Sequence, residues 1–456
     1  TESFHPLLVK KHLFPNINTF THGYGIETLP AGEYESLMRR GIQWMGQLCM
    51  LLDYNPEQGK ERETPEQLLR RFERHHQFPY MSGFAFDEID ISRTEEKMFY
   101  MAAIWKTLPD KKHIYTWSSG VKFMVNGLNT HYFAGAVNNA GGRGKFLFEC
   151  YSRTQETEAR AAEYLEDYLN ETIRRAEQLL PGAAEKSFII NGAYTNQGEY
   201  NTDTYDGPDV KYFWDMYFHK LANDREFKNL YGVGLYSLRT ANEESMRWAM
   251  KLFRHYALEG NRDSLAKRYG YKYLPGLVKN GDFISGLTHW QADAAEKDSL
   301  RHERIDNFGR SVLRRINEKD AALGDNVCVF RQSAKGPNRL SQKISGLKPG
   351  EKYVLRYAVV NRKEASQKKP SGKKYPLAVT LDGAENITGT SPLGKYVGAD
   401  GITVAGLVNN CALVFQPARE NVTITFSDGP ADAASGNAGQ ELLLNSIRIA
   451  PYFAED

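Results

Sequence analysis

The chain is poor in the features that mark several protein classes. Four cysteines occur in 456 residues, none in Cys-x-x-Cys spacing, so neither a disulfide framework nor a zinc ribbon is expected. Cys49, Cys150, Cys328 and Cys411 each fall in an apolar strand-like run, where a thiol behaves as a small buried hydrophobe. No apolar run is long enough for a membrane-spanning helix. Net charge is only +2, with +4 from Leu277 onward and −2 before it. The strong basic patch of a nucleic-acid binder is therefore missing. The one locally basic run, Arg362 to Lys374, carries Ser, Gly and Pro and reads as a solvated hairpin loop. There is no His-Glu-x-x-His pair for zinc, no Gly-x-Ser-x-Gly elbow, no Gly-Lys-Ser/Thr phosphate cradle and no dinucleotide fingerprint. No metal or cofactor is expected. No signal peptide is recognisable, and an opening at Thr1 rather than Met is consistent with removal of an upstream segment.

Aromatics are plentiful, with 26 Tyr, 23 Phe and 6 Trp. Tyr and Trp combine a flat apolar face with one polar handle, which suits sugar rings as well as cores. The length implies two domains. Short β-forming runs occur at Asn16–Phe20, Trp44–Leu52, Ser82–Phe86, His113–Trp117, His131–Ala134, Phe146–Tyr151, Ser187–Asn191 and Tyr231–Leu238. Helical patterns lie between most of them: Ala31–Arg40, Pro65–His76, Thr94–Leu108, Glu156–Leu180, Val210–Leu221 and Glu243–Leu258. Eight strands with mostly helical crossovers predict an α/β fold, a (β/α)₈ TIM barrel over residues 1–260. Residues 261–276 read as a linker. Residues 277–456 show short strands and turns without a long helix, which predicts an all-β sandwich.

Two strand-like runs end in carboxylates: Ser82-Gly83-Phe84-Ala85-Phe86-Asp87-Glu88 and Lys145-Phe146-Leu147-Phe148-Glu149-Cys150-Tyr151. Acids at the C-terminal ends of parallel strands sit where barrel enzymes keep their chemistry. A pair of them, on the third and sixth of eight strands, suits glycosidic bond hydrolysis, with one carboxyl protonating the leaving oxygen and the other attacking or activating water. Glu88 is the candidate general acid/base, its pKa raised by Phe84 and Phe86. Glu149 is the candidate nucleophile or base, and Asp87 is a third candidate. Polar and aromatic residues at other strand ends are candidates for substrate contact: His22, Asp53, Trp117, His131, Tyr151, Asn191, Tyr194 and Tyr236. The long connection Ala193–Asp209 holds further acids in reserve.

The three-strand interval between the acids is similar to that of the large clan of barrel glycosidases with an acid on strand four and a nucleophile on strand seven. Gly83–Asp90 loosely resembles the D-G-x-D-x-D-x-E strand of chitinase-like enzymes, with Ser82 and Ala85 where Asp is expected. Toward the C-terminus, Leu277-Val278-Lys279-Asn280-Gly281-Asp282-Phe283 followed by Gly286-Leu287 and Trp290 resembles the opening of jelly-roll carbohydrate-binding modules. Ser345 to Tyr353 resembles their L-K-P-G-x-x-Y turn, and Leu442 to Ile449 their last strand. Ile284 and Asn445 stand where that family commonly has Glu and Asp, which counts against the structural calcium that many such modules hold. These resemblances imply a jelly-roll sandwich behind the barrel and a monomeric, secreted, periplasmic or cell-surface glycoside hydrolase. Its substrate would be a poly- or oligosaccharide. Two other readings stand beside it: a non-catalytic glycan-binding protein, and a lyase or metal-dependent hydrolase acting on an acidic glycan.

Overall fold

The computed structural model describes residues 9–22, 31–49, 67, 70, 81–87, 112–119, 142–193, 202–236, 242–313, 323–371, 375, 377–387, 391–392, 407–429 and 438–454. Seven strands form one sheet in chain order: β1 (Thr19–His22), β2 (Gln43–Cys49), β3 (Gly83–Asp87), β4 (His113–Ser119), β5 (Lys145–Glu149), β6 (Ser187–Gly192) and β7 (Gly232–Tyr236). Every neighbouring pair is parallel. The crossover from β5 to β6 carries the helices Glu158–Leu165 and Glu171–Leu179, joined by a π-helical turn at Glu166–Asn170. Val210–Asn223 joins β6 to β7, and Glu243–Leu252 with Phe253–Leu258 follows β7.

Among the described residues the sheet has seven strands where eight were expected. β4 pairs directly with β5, from Tyr115 opposite Lys145 to Ser119 opposite Glu149, so no strand lies between them. The run His131–Ala134 itself falls outside the described residues. The two acid-ending strands are therefore β3 and β5, with one strand between them, and the three-strand interval shrinks to two. Among the described residues β1 pairs only with β2 and β7 only with β6. The sheet is a half-barrel.

Strand alternation separates its two faces. Phe84, Phe86, Ile114, Phe146, Phe148 and Ile189 pack into the large core under the helices, with Trp44, Phe213, Trp214 and Trp248. Met45, Ala85, Tyr115, Trp117, Leu147 and Ile190 form a separate cluster on the inner face, joined by Tyr151, Phe188 and Tyr236. On β7 the inner face is left bare by two glycines. A Cβ on Gly232 would lie 2.4 Å from the Phe188 ring, and one on Gly234 would lie 2.5 Å from Ile190 Cδ1. Only glycine lets these β6 side chains lie across β7.

Two antiparallel sheets follow. One has the order β14 (Ala384–Asn386), β16 (Val408–Pro417), β12 (Tyr353–Asn361), β18 (Glu441–Pro451), β10 (Asn326–Arg331) and β9 (Leu300–Arg304), with β15 (Ser391–Pro392) also pairing β16. The other has the order β13 (Ala378–Asp382), β17 (Val422–Ser427), β11 (Arg339–Ile344) and β8 (Gln291–Asp293). Strict burial alternation along β17 places Val422, Ile424 and Phe426 in the core, where they meet Leu340, Leu355, Leu413 and Leu444. The basic run expected as a hairpin loop instead begins with a short helix, Arg362–Gln367, capped by Asn361. Arg362 is spent on Glu303 and Glu441.

The Asn280-Gly281-Asp282-Phe283 motif has a structural reason. The Asn280 carboxamide donates to the carbonyls of Gly286 and Thr288 and accepts from Ser285 N–H, while its own carbonyl accepts from Trp290 Nε1. Phe283 is fully buried. A Cβ on Gly281 would lie 1.9 Å from the Ile447 carbonyl oxygen. Gly281→Ala should therefore lower stability by about 2–3 kcal/mol, read by denaturant unfolding. Among the described residues no group of three or more His, Cys, Asp or Glu is placed to hold a metal.

The α/β and β units share buried contacts. Lys211 Nζ lies 3.2 Å from both Asp209 and Glu244, and Arg356 of β12 reaches Glu244 at 2.5 Å. Arg448 of β18 pairs with Asp203. Phe453, just past β18, packs on Trp248 and Tyr269, and its N–H donates to Glu244 Oε1. The segment read as a linker also packs: Tyr271 and Tyr273 belong to the core under the helices, and the Tyr273 hydroxyl donates to the Gln155 carbonyl at 2.7 Å.

Candidate functional site

The C-terminal ends of β4, β5 and β7 bring four of the expected site residues together. Glu149 closes β5 and is half-buried. The Tyr151 hydroxyl donates to Glu149 Oε1 at 3.0 Å. Its ring stacks on Tyr236, with centroids 5.7 Å apart and planes 8° from parallel. Trp117 meets the same Tyr236 edge-on at 5.1 Å. A carboxylate is thus set beside a wall of three aromatic rings on the inner face. Trp117 Nε1 is buried and has no hydrogen-bond partner among the described residues. It is a donor without an internal acceptor there, a role a bound hydroxyl can fill.

Side-chain parity sorts the neighbours of Glu149. Cys150 points to the helix side, fully buried, and burial pushes its thiol up to about 12. At neutral pH it is a protonated packing group and no nucleophile. Phe84 and Phe86 also lie on the helix side, stacked at 6.1 Å. Glu88, for which they were the expected apolar surround, lies outside the described residues.

Asn191 is fully buried next to Ile190, whose side chain takes the inner face. Its Oδ1 accepts from Ser152 N–H, Ser152 Oγ and Gly192 N–H, tying the end of β5 to the end of β6. In this state the carboxamide oxygen is committed to the scaffold. Beyond this clip, Thr154 N–H donates to the Thr202 carbonyl at 2.8 Å, and Thr204 N–H donates to Thr154 Oγ1 at 3.0 Å. The connection after β6 is thereby fastened to the connection after β5. Of its reserve acids, Asp203 is paired with Arg448. Asp209 caps the helix Val210–Asn223 through Lys211 N–H and pairs with the Lys211 ammonium. Both serve the junction between the units.

Asp87 is the last residue of β3, two positions past Ala85 and in register with Cys49; its side chain lies outside the described residues, as does that of His22. Glu88, Asp53, His131 and Tyr194 lie outside them entirely. The sequence reading missed the Ser152–Asn191 and Thr154–Thr204 ties, because they join segments about 40–50 residues apart. It also missed the junction charges. The local hint was an arginine inside each of two largely buried strands, Arg356 and Arg448.

No family model and no curated protein matches the chain. Solved structures do. Active domain 2 of a thermostable chitinase from Pyrococcus furiosus is 11% identical, over 59% of this chain and 92% of that one, with a TM-score of 0.40. An endo-β-N-acetylglucosaminidase from Cordyceps militaris is 11% identical, over 52% of this chain and 80% of its own, with a TM-score of 0.36. TmCBM61, solved with β-1,4-galactotriose, is 14% identical, over 39% of this chain and 98% of its own, with a TM-score of 0.23.

Proposed function

We propose that the chain is a glycoside hydrolase acting on a poly- or oligosaccharide at the C-terminal end of a TIM-type barrel. The observation that carries this reading is the Glu149 carboxylate, hydrogen-bonded by Tyr151 and flanked by the Tyr151–Tyr236 stack and Trp117. A carboxylate beside aromatic faces suits a sugar ring, whose C–H face packs on the rings while its anomeric carbon meets the oxygen. Glu149 acts as nucleophile or base in this scheme. The proton donor comes from the end of β3, with Glu88 and Asp87 as the candidates. The two strands are separated by β4 alone, roughly 10 Å across the sheet. Side chains reaching inward over that span can approach the carboxyl separations of glycosidases, about 5–9.5 Å.

Behind the half-barrel, the β domain is a jelly-roll module of carbohydrate-binding type, and the protein works outside the cytoplasm as a monomer. The strands Gln291–Asp293 to Glu441–Pro451 and the Asn280–Phe283 loop support this domain reading. Tyr236→Ala tests the aromatic wall. It should raise KM for the cleaved glycan about tenfold and change kcat little, since it removes a stacking face and no reacting group. Tyr236→Trp should keep KM near wild type. An unchanged KM in Tyr236→Ala would remove the wall from the substrate site.

A further inference from the structure

The opposite, N-terminal end of the half-barrel gathers positive charge. His113 opens β4, Lys145 opens β5, Arg143 precedes β5 and Lys186 immediately precedes β6. Lys145 is 8% exposed, and its ammonium lies 4.1 Å above the Tyr231 ring. The structure gives it no hydrogen bond or ion pair among the described residues. Nε and Nη2 of Arg143 are buried and likewise have no hydrogen-bond partner there. Lys186 donates to the Gly142 carbonyl at 2.5 Å, which sets its ammonium beside the Gly142–Gly144 turn. Beneath them lies an aromatic floor, where Phe188 packs against both Tyr115 and Tyr231.

The cations sense one another. Burial, then Arg143 and Lys145, depress the His113 pKa, and burial, then Lys186, depresses that of Lys145. Among the described residues no carboxylate stands within ion-pair distance of the four. The junction between the units differs, since Lys211, Arg356 and Arg448 each face an acid there. A buried cation without a counter-charge is costly, and an anion that enters removes the cost.

We propose that this end of the half-barrel is a binding site for a phosphate- or sulfate-type oxyanion, held by Arg143, Lys145 and Lys186. The planar Arg143 fork, with two donors unspent among the described residues, favours an oxyanion over chloride. The shared chemistry has two sources, the free ion or an ester group on a glycan. The site is independent of the hydrolase reading, because it uses none of its residues.

Thermal unfolding of the full chain tests it, in sodium phosphate, sodium sulfate or a sulfated oligosaccharide against sodium chloride at matched ionic strength. Phosphate or sulfate should raise Tm by about 3–6 °C at saturation over chloride. Lys145→Met and Arg143→Gln should lose that excess, and in chloride they should melt no lower than wild type, since each removes a like-charge repulsion. A sulfated oligosaccharide with a midpoint at least tenfold below that of free sulfate assigns the ester source; equal midpoints assign the free ion. Wild-type protein that responds to phosphate, sulfate and the sulfated oligosaccharide only as it does to chloride overturns the proposal, even where a variant fails to fold. Retention of the full oxyanion shift by both variants also overturns it.

Discussion

Glu149→Gln should fold as wild type does and lower glycan turnover about 10²–10⁴-fold, the range of a lost acid–base or nucleophilic group. Gln keeps the volume of Glu, and its carbonyl oxygen can still accept from the Tyr151 hydroxyl. The rings of Tyr151, Tyr236 and Trp117 stay in place, so KM should move little while kcat falls. Gln cannot ionise, and neither attack on an anomeric carbon nor activation of water survives that change. A variant retaining a third or more of wild-type kcat would assign Glu149 to packing and direct the search to the end of β3.

The second large effect lies at the junction. Glu244→Gln should destabilise the chain by about 3–5 kcal/mol, as breaking a buried ion pair does. Glu244 is 4% exposed and its two oxygens serve Lys211, Arg356 and the Phe453 N–H. With the charge removed, Lys211 keeps Asp209, but Arg356 is left facing a neutral amide. The variant should melt about 3–5 °C below wild type on that account. Glu244→Met combined with Arg356→Met removes both charges at once and should recover much of the loss.

Acid titration reads the same site. Burial alone would raise the Glu244 carboxyl, but Lys211 and Arg356 outweigh it and hold the group below the ordinary range. Its folded pKa is depressed, so its contribution is present above the unfolded value of about 4.3 and is lost as pH falls through the folded value. Wild type should lose stability over that acid window, and Glu244→Gln should show a flatter profile there.

The sheet was legible where strands buried on both faces wrote continuous apolar runs, as in Gly83–Phe86 and Phe146–Phe148. The neighbouring of β4 and β5 had no local signature, since it joins residues about 30 apart. Register carried half of the site. Tyr151 and Tyr236 were readable as strand-end aromatics, and Glu149 as the acid closing its run. Parity was harder, because a strand end does not announce which face a residue takes. The Phe84–Phe86 pair serves the helix side, and the Asn191 carboxamide oxygen ties the end of β5 to the end of β6.

The residues Tyr269 to Gly276 looked like a linker because Gly270 and Pro275-Gly276 punctuate them. Tyr271 and Tyr273 nonetheless fill the core under the helices. The junction charges had no local signature beyond Arg356 and Arg448, since their partners lie in the other unit.

The most direct test of the central claim is product analysis of wild-type protein on a panel of plant, algal and mucin glycans. A hydrolase of the proposed kind releases new reducing ends from at least one of them. Its products are saturated and do not gain ultraviolet absorbance, and chelator leaves the rate unchanged. Unsaturated products or loss of activity in chelator would contradict the carboxylate mechanism at Glu149. Tight binding of a glycan without any cleavage would contradict the enzyme itself and leave a glycan-binding protein.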